Sequence, residues 1–121
     1  MKKSMRNSRR TVPEIRGIRA VIEKRGETYL GFQTNGHAYF APSGQDIVCA
    51  AVSMISIQTV NAIEALTTSA VTAEVKDGCL TCRLQTDSPE AQLLFQSYEL
   101  GLNMILQEYG AQYIQIEYRE V

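Results

Sequence analysis

At 121 residues, with 45% apolar and 21% charged side chains, the chain has the size and composition of one globular domain able to bury a core without staples. Its three cysteines are an odd count and no apolar export segment follows the basic start, so a disulfide framework is not expected and reduced thiols in the cytoplasm are. No run is expected to cross a membrane, because Ser53, Ser56, Gln58 and Asn61 interrupt the longest apolar segment.

Charge is distributed unevenly. Residues 1–12 carry Lys2, Lys3, Arg6, Arg9 and Arg10 and no acid. The remaining seven basic residues face all 13 acids, so residues 13–121 carry a net charge of −6. The reading is a basic flexible arm over 1–12 and a folded, acidic domain over 13–121. Such an arm suits RNA or an acidic partner, or serves only as a solubilising leader, and the residues leave these open.

In chain order, Ile15 to Glu23 mostly alternates apolar and polar, with Val21 as the apolar exception on the polar side. Lys24-Arg25-Gly26 turns it into a second strand, Thr28 to Asn35, and Gly36 through Gln45 reads as a loop punctuated by Pro42 and Gly44. Asp46 reads as the cap of a helix running to about Leu66. Along it Asp46, Cys49, Ser53, Ser56 and Glu64 fall in one polar stripe at roughly 100° per residue, and most other directions are apolar. A helix with that girth is buried on more than one side, against a sheet and against a second helix or another subunit.

Val71 to Lys76 and Cys79 to Gln85 flank Asp77-Gly78, the two-residue signature of a type I′ hairpin. Ser88, Pro89 and Glu90 open a second helix as cap, first-turn proline and first-turn acid. That helix runs to Tyr109, with Leu94, Tyr98, Leu102, Ile105 and Tyr109 toward the core, and Gln92, Gln96, Glu99, Asn103 and Gln107 toward water. Gly110 stops it, and Tyr113 to Arg119 closes as a half-buried strand. The order ββαββαβ predicts an α+β fold, a mainly antiparallel sheet covered by two helices.

The chemistry centres on the only histidine, His37, and on Cys49 across the loop. With Asp46 as the cap, Cys49 is the third helical residue, where the dipole and unpaired N–H groups favour a thiolate. A nearby imidazole completes a Cys-His nucleophile pair. Asp46 has two candidate jobs, capping the helix and orienting His37, which compete for the same oxygens. Ser53 lies one turn below Cys49 on the same face. Cys79-Leu80-Thr81-Cys82 matches C-x-x-C, but on a strand its two sulfurs point to opposite faces, so neither a metal site nor a redox pair is expected. No cofactor-binding motif is present.

Gly36-His37-Ala38, then Gly44-x-Asp46-Ile47-Val48-Cys49-Ala50-Ala51-Val52-Ser53 and Val60-Asn61-Ala62, resemble the ribosomal-processing cysteine proteases of Firmicutes and related bacteria. Glu90-Ala91-Gln92-Leu93-Leu94 and Glu108-Tyr109 are similar to that family's C-terminal half, and the resemblance covers roughly residues 14–119. It implies a small intracellular, homodimeric protease that removes a short N-terminal extension, ending in a phenylalanine-rich motif, from a large-subunit ribosomal protein. Carried over, His37 is the general base, Cys49 the nucleophile, and Asp46 and Ser53 support the site. Gly36 and Gly44 would border a loop that moves to admit the peptide. Tyr39 and Pro42-Ser43 depart from the family pattern, which bears on substrate preference more than on activity. The runner-up reading is a non-catalytic ribosome-assembly module that binds the same peptide.

Overall fold

The computed structural model describes residues 17–35 and 43–121, with side chains described for 17–35 and 47–121. The arm, residues 36–42 of the expected loop and the start of the first expected strand lie outside these residues. The elements are β1 (Ile18–Arg25), β2 (Thr28–Asn35), α1 (Ser43–Leu66), β3 (Ala70–Lys76), β4 (Cys79–Thr86), α2 (Pro89–Tyr109) and β5 (Ile114–Glu120). The predicted ββαββαβ order and α+β class hold.

Among the described residues the strands form one sheet in the order β3-β4-β2-β1-β5. Both hairpins are antiparallel, and β4 pairs antiparallel with β2. The last strand runs parallel to β1, with Ile18 opposite Ile114 and Ile22 opposite Tyr118. The sheet is therefore mixed but mainly antiparallel. Asp77 and Gly78 take φ of 53° and 76°, the left-handed pair that a type I′ turn requires.

The two faces of the sheet differ. One carries Ile18, Ala20 and Ile22 of β1, Phe32 of β2, Cys82 of β4 and Ile114 of β5, which join Val48, Val52 and Ile63 of α1 and Phe95, Tyr98 and Leu102 of α2 in one core. Phe32 meets Phe95 edge-on and stacks on Tyr98, with centroids 6.3 and 4.1 Å apart. The opposite face carries charge. Arg19 grips Glu117 through Nε and Nη2 at 2.8 and 2.9 Å. Glu23, only 3% exposed, accepts from Arg119 at 3.0 Å and faces Arg83 at 3.7 Å. Val21, the exception in the alternation, is buried on this face as well.

The helices lie side by side on the apolar face. Gly101 lets them approach, since a Cβ there would sit 3.3 Å from Ile55 Cδ1. The second helix starts and stops as its sequence predicts: the Ser88 hydroxyl accepts from the Ala91 N–H at 3.1 Å, Pro89 is the first helical residue, and the Gly110 N–H donates to the Leu106 carbonyl at 2.8 Å. Its polar face is less wet than expected. Gln92 bonds the backbone N–H and carbonyl of Tyr29, and Glu99 accepts from the hydroxyls of both Tyr29 and Tyr118. Tyr109, expected toward the core, is exposed, as are Leu93, Leu100 and Met104.

The first helix departs from the sequence reading in three ways. It begins at Ser43, so Asp46 is its fourth residue rather than its cap, and Ser43 to Gln45 are helix rather than loop. Ser56 is not on the polar stripe beside Cys49 in any wet sense: it is fully buried, and its hydroxyl pairs with Tyr98 Oη at 2.8 Å. By length and composition, the 20 residues Ile47–Leu66 are also apolar enough to cross a membrane, against expectation. The packed face of α1, built from Val48, Val52, Ser56 and Ile63, instead makes it the core helix of the domain.

Candidate active site

Cys49 sits on the seventh residue of α1, half-buried, and one of its sides touches the core. Ser53 follows one turn later and Ile57 two turns later, so the three share a face by the i, i+4, i+8 rule. That face looks onto the sheet where β2 ends and the β3–β4 hairpin turns. Between them is a groove of about 230 Å³ lined by Thr34, Cys49, Ser53, Ile57, Val75, Gly78 and Leu80. A smaller space of about 40 Å³ continues toward Ile18 and Asn35 and shares Thr34, Cys49 and Ser53. The walls are apolar, and the hydroxyls are those of Thr34 and Ser53. Shape and lining suit a peptide whose side chains are apolar.

The helix register changes the electrostatics. Unpaired N–H groups occupy only the first turn of a helix, here Ser43 to Asp46, and the dipole's effect fades within that turn. Cys49, the seventh residue, lies beyond that turn rather than within it as the sequence predicts. His37 and Gly36 lie outside the described residues, Gly44 is the second residue of α1, and the Asp46 carboxylate lies outside the described side chains.

The other two thiols are set apart as the strand geometry predicts. Cys82 points into the core and is fully buried, and burial, with a smaller contribution from the Glu64 charge, pushes its thiol up to about 12. Cys79 is on the opposite face, half-buried, with its sulfur 3.9 Å from the Thr81 hydroxyl. Sequence reasoning missed Thr34, Ile57, Val75 and Leu80 as groove residues. Each looked like an ordinary strand or helix position, and only the docking of α1 over the β3–β4 hairpin brings them to Cys49.

The chain matches the family described as Cysteine protease Prp over residues 18–115. It belongs to that family. A curated relative, the ribosomal processing cysteine protease Prp of Staphylococcus aureus, is 37% identical over 79 residues, covering 63% of this chain and 74% of its own. Two solved structures of the S. aureus ribosomal processing protease Prp are similar, each covering 84% of this chain and 99% of their own. One holds a substrate peptide, with a TM-score of 0.77 and 30% identity. The other holds a covalently linked product peptide, with a TM-score of 0.74 and 31% identity. SMU.848 from Streptococcus mutans is similar too, with a TM-score of 0.76 and 28% identity over 87% of this chain and 96% of its own. As a Prp-family member the chain is a cysteine protease, a hydrolase acting on peptide bonds, rather than a binding module without chemistry.

Proposed function

We propose that this Prp-family protease is an endopeptidase that removes the N-terminal extension of a bacterial large-subunit ribosomal protein, with Cys49 as nucleophile and His37 as its base. The observation that carries the reading is the position of Cys49: a half-buried thiol on the wall of an apolar groove, beside the Ser53 hydroxyl. The names of the S. aureus relatives support the substrate class.

In this reading His37 takes the thiol proton and the Cys49 thiolate attacks the scissile carbonyl carbon. Collapse of the tetrahedral intermediate breaks the C–N bond, and the imidazolium gives its proton to the leaving amine. The acyl group remains on Cys49 as a thioester. Water, deprotonated by His37, then releases the acid and restores the thiol. The Cys49 N–H is committed to the helix, so the developing oxyanion needs another donor, and the Ser53 hydroxyl is one of the side-chain donors lining the same space, with Thr34 and Asn35. Asp46 and the glycines Gly36 and Gly44 support the approach to the site.

Two further parts of the reading concern partners and place. The outer faces of both helices expose Met54, Leu93, Leu100 and Met104, each more than 60% accessible, which supports a homodimer formed through this layer. Three free cysteines support a reducing compartment, the cytoplasm. Any contact of the arm with RNA rests on its charge alone. The test is cleavage of a peptide spanning the extension and the mature start. The wild-type chain should cut it once after the apolar motif, and Cys49→Ala and His37→Ala should each lose at least about 10³-fold in kcat/KM. Undiminished cleavage by either variant would overturn the assignment.

A further inference from the structure

Most of the buried hydroxyls among the described residues have a partner within the protein. Ser56 pairs with Tyr98 at 2.8 Å, Thr59 donates to the Ile55 carbonyl at 2.7 Å, Ser69 donates to Ser88 at 2.7 Å, and Ser88 accepts from Ala91 at 3.1 Å. Thr34, 8% exposed, has no hydrogen-bond partner for its side chain among the described residues. A buried hydroxyl left unpaired is destabilising, and valine would fill the same volume without that penalty.

The position of Thr34 explains what the hydroxyl is for. It lies on β2 opposite Ala20 of β1 and Leu80 of β4, on the helix-covered face of the sheet. It lines both the groove of about 230 Å³ and the space of about 40 Å³ beside Cys49 and Ser53. The groove's other walls are the apolar Ile57, Val75 and Leu80. For a scissile carbonyl to come within bonding distance of the Cys49 sulfur, the substrate main chain has to pass over this spot. A peptide group offers one donor and one acceptor, and a threonine hydroxyl can meet either.

We propose that Thr34 is a peptide-binding residue whose hydroxyl hydrogen-bonds the main chain of the substrate in the groove beside Cys49. The inference rests on the reading of that groove as the peptide site. It also gives β2 a second role, because the strand that leads toward His37 then anchors the substrate three residues earlier.

The test measures binding without turnover. A fluorescently labelled peptide carrying the phenylalanine-rich motif is titrated into Cys49→Ala, into Cys49→Ala with Thr34→Val, and into Cys49→Ala with Thr34→Ser. Valine should weaken binding about five- to tenfold, the loss of one neutral hydrogen bond, while serine should stay within about twofold of the parent. Thermal unfolding should show the valine variant folded and no less stable than its parent. Equal affinity for the valine variant and the parent would overturn the proposal. So would a serine variant as weak as the valine one, which would mean the methyl group matters and not the hydroxyl, and so would a parent that does not bind the peptide. Cleavage by the wild-type chain is measured separately: binding that depends on Thr34 without any cleavage would overturn the proposed reaction and leave this assignment standing.

Discussion

Two thiols share one core and live in opposite environments. Cys82 is sealed in the sheet's interior opposite Phe32, where burial holds its proton up to about pH 12. Cys49 touches the same core from the helix above, but its other side opens onto the groove with Ser53 and Thr34. The difference comes from docking: β4 lies between β2 and β3, so nothing reaches Cys82, whereas α1 stands at the rim where the β3–β4 hairpin turns away. The sealed region supplies stability and the rim holds the proposed chemistry, and substitutions can separate the two.

The largest effect on the sealed side should come from Phe95, 1% exposed and in contact with both Tyr29 and Phe32. Phe95→Ala is expected to cost about 3–5 kcal/mol of unfolding free energy, read by urea denaturation. The next contrast is between two serines one helical turn apart. Ser56→Ala strands the buried Tyr98 hydroxyl and should lower stability by about 1–3 kcal/mol. Ser53 is exposed, so Ser53→Ala should leave the urea midpoint almost unchanged and slow peptide cleavage by roughly tenfold or more through lost carbonyl polarisation.

The smallest effect is a slope. The Cys82 thiol rises from the ordinary 9.0 to about 12 in the fold, so the folded state holds a proton that the unfolded chain gives up. Its contribution to stability is complete below pH 9 and is lost as pH rises toward about 12. Tyr118, pushed up to about 12 by burial and by Glu99, and the buried Tyr29 and Tyr98, shifted in the same direction, add to the decline. Cys82→Ala should therefore flatten the alkaline loss of stability, measured by urea denaturation between about pH 8.5 and 10.5, without abolishing it.

How much of this was legible in the sequence depended on how local the signal was. The bounds of α2 follow from residues that act on their own neighbours, Ser88, Pro89 and Gly110, and the structure matches them. Asp46 misled because an acid is favoured both at the cap and inside the first turn, where it complements the dipole, and the helix in fact extends back to Ser43. Ser56 misled for a different reason. Its angle about the helix is close to that of Cys49, but whether that direction is wet depends on where Tyr98 of α2 lies, which helical periodicity does not encode. The parallel pairing of β1 with β5 was likewise beyond local reading, because strands so distant in the chain find each other through the shape of the whole core. Motif and spacing singled out Cys49, and the structure puts it on the wall of a groove. The groove itself was not legible, since Thr34, Val75 and Leu80 come from three strands.

The proposed chemistry turns on Cys49, and neither of the other thiols, attacking the peptide. The direct measurement is acid quenching of the wild-type chain during turnover of the extension peptide, followed by digestion and mass spectrometry of the cysteine-containing fragments. An acyl adduct is expected on the fragment that carries Cys49, with Cys79 and Cys82 unmodified. An adduct on Cys79 or Cys82, or steady cleavage with the adduct absent from Cys49 at every quench time while His37→Ala still cuts, would contradict it.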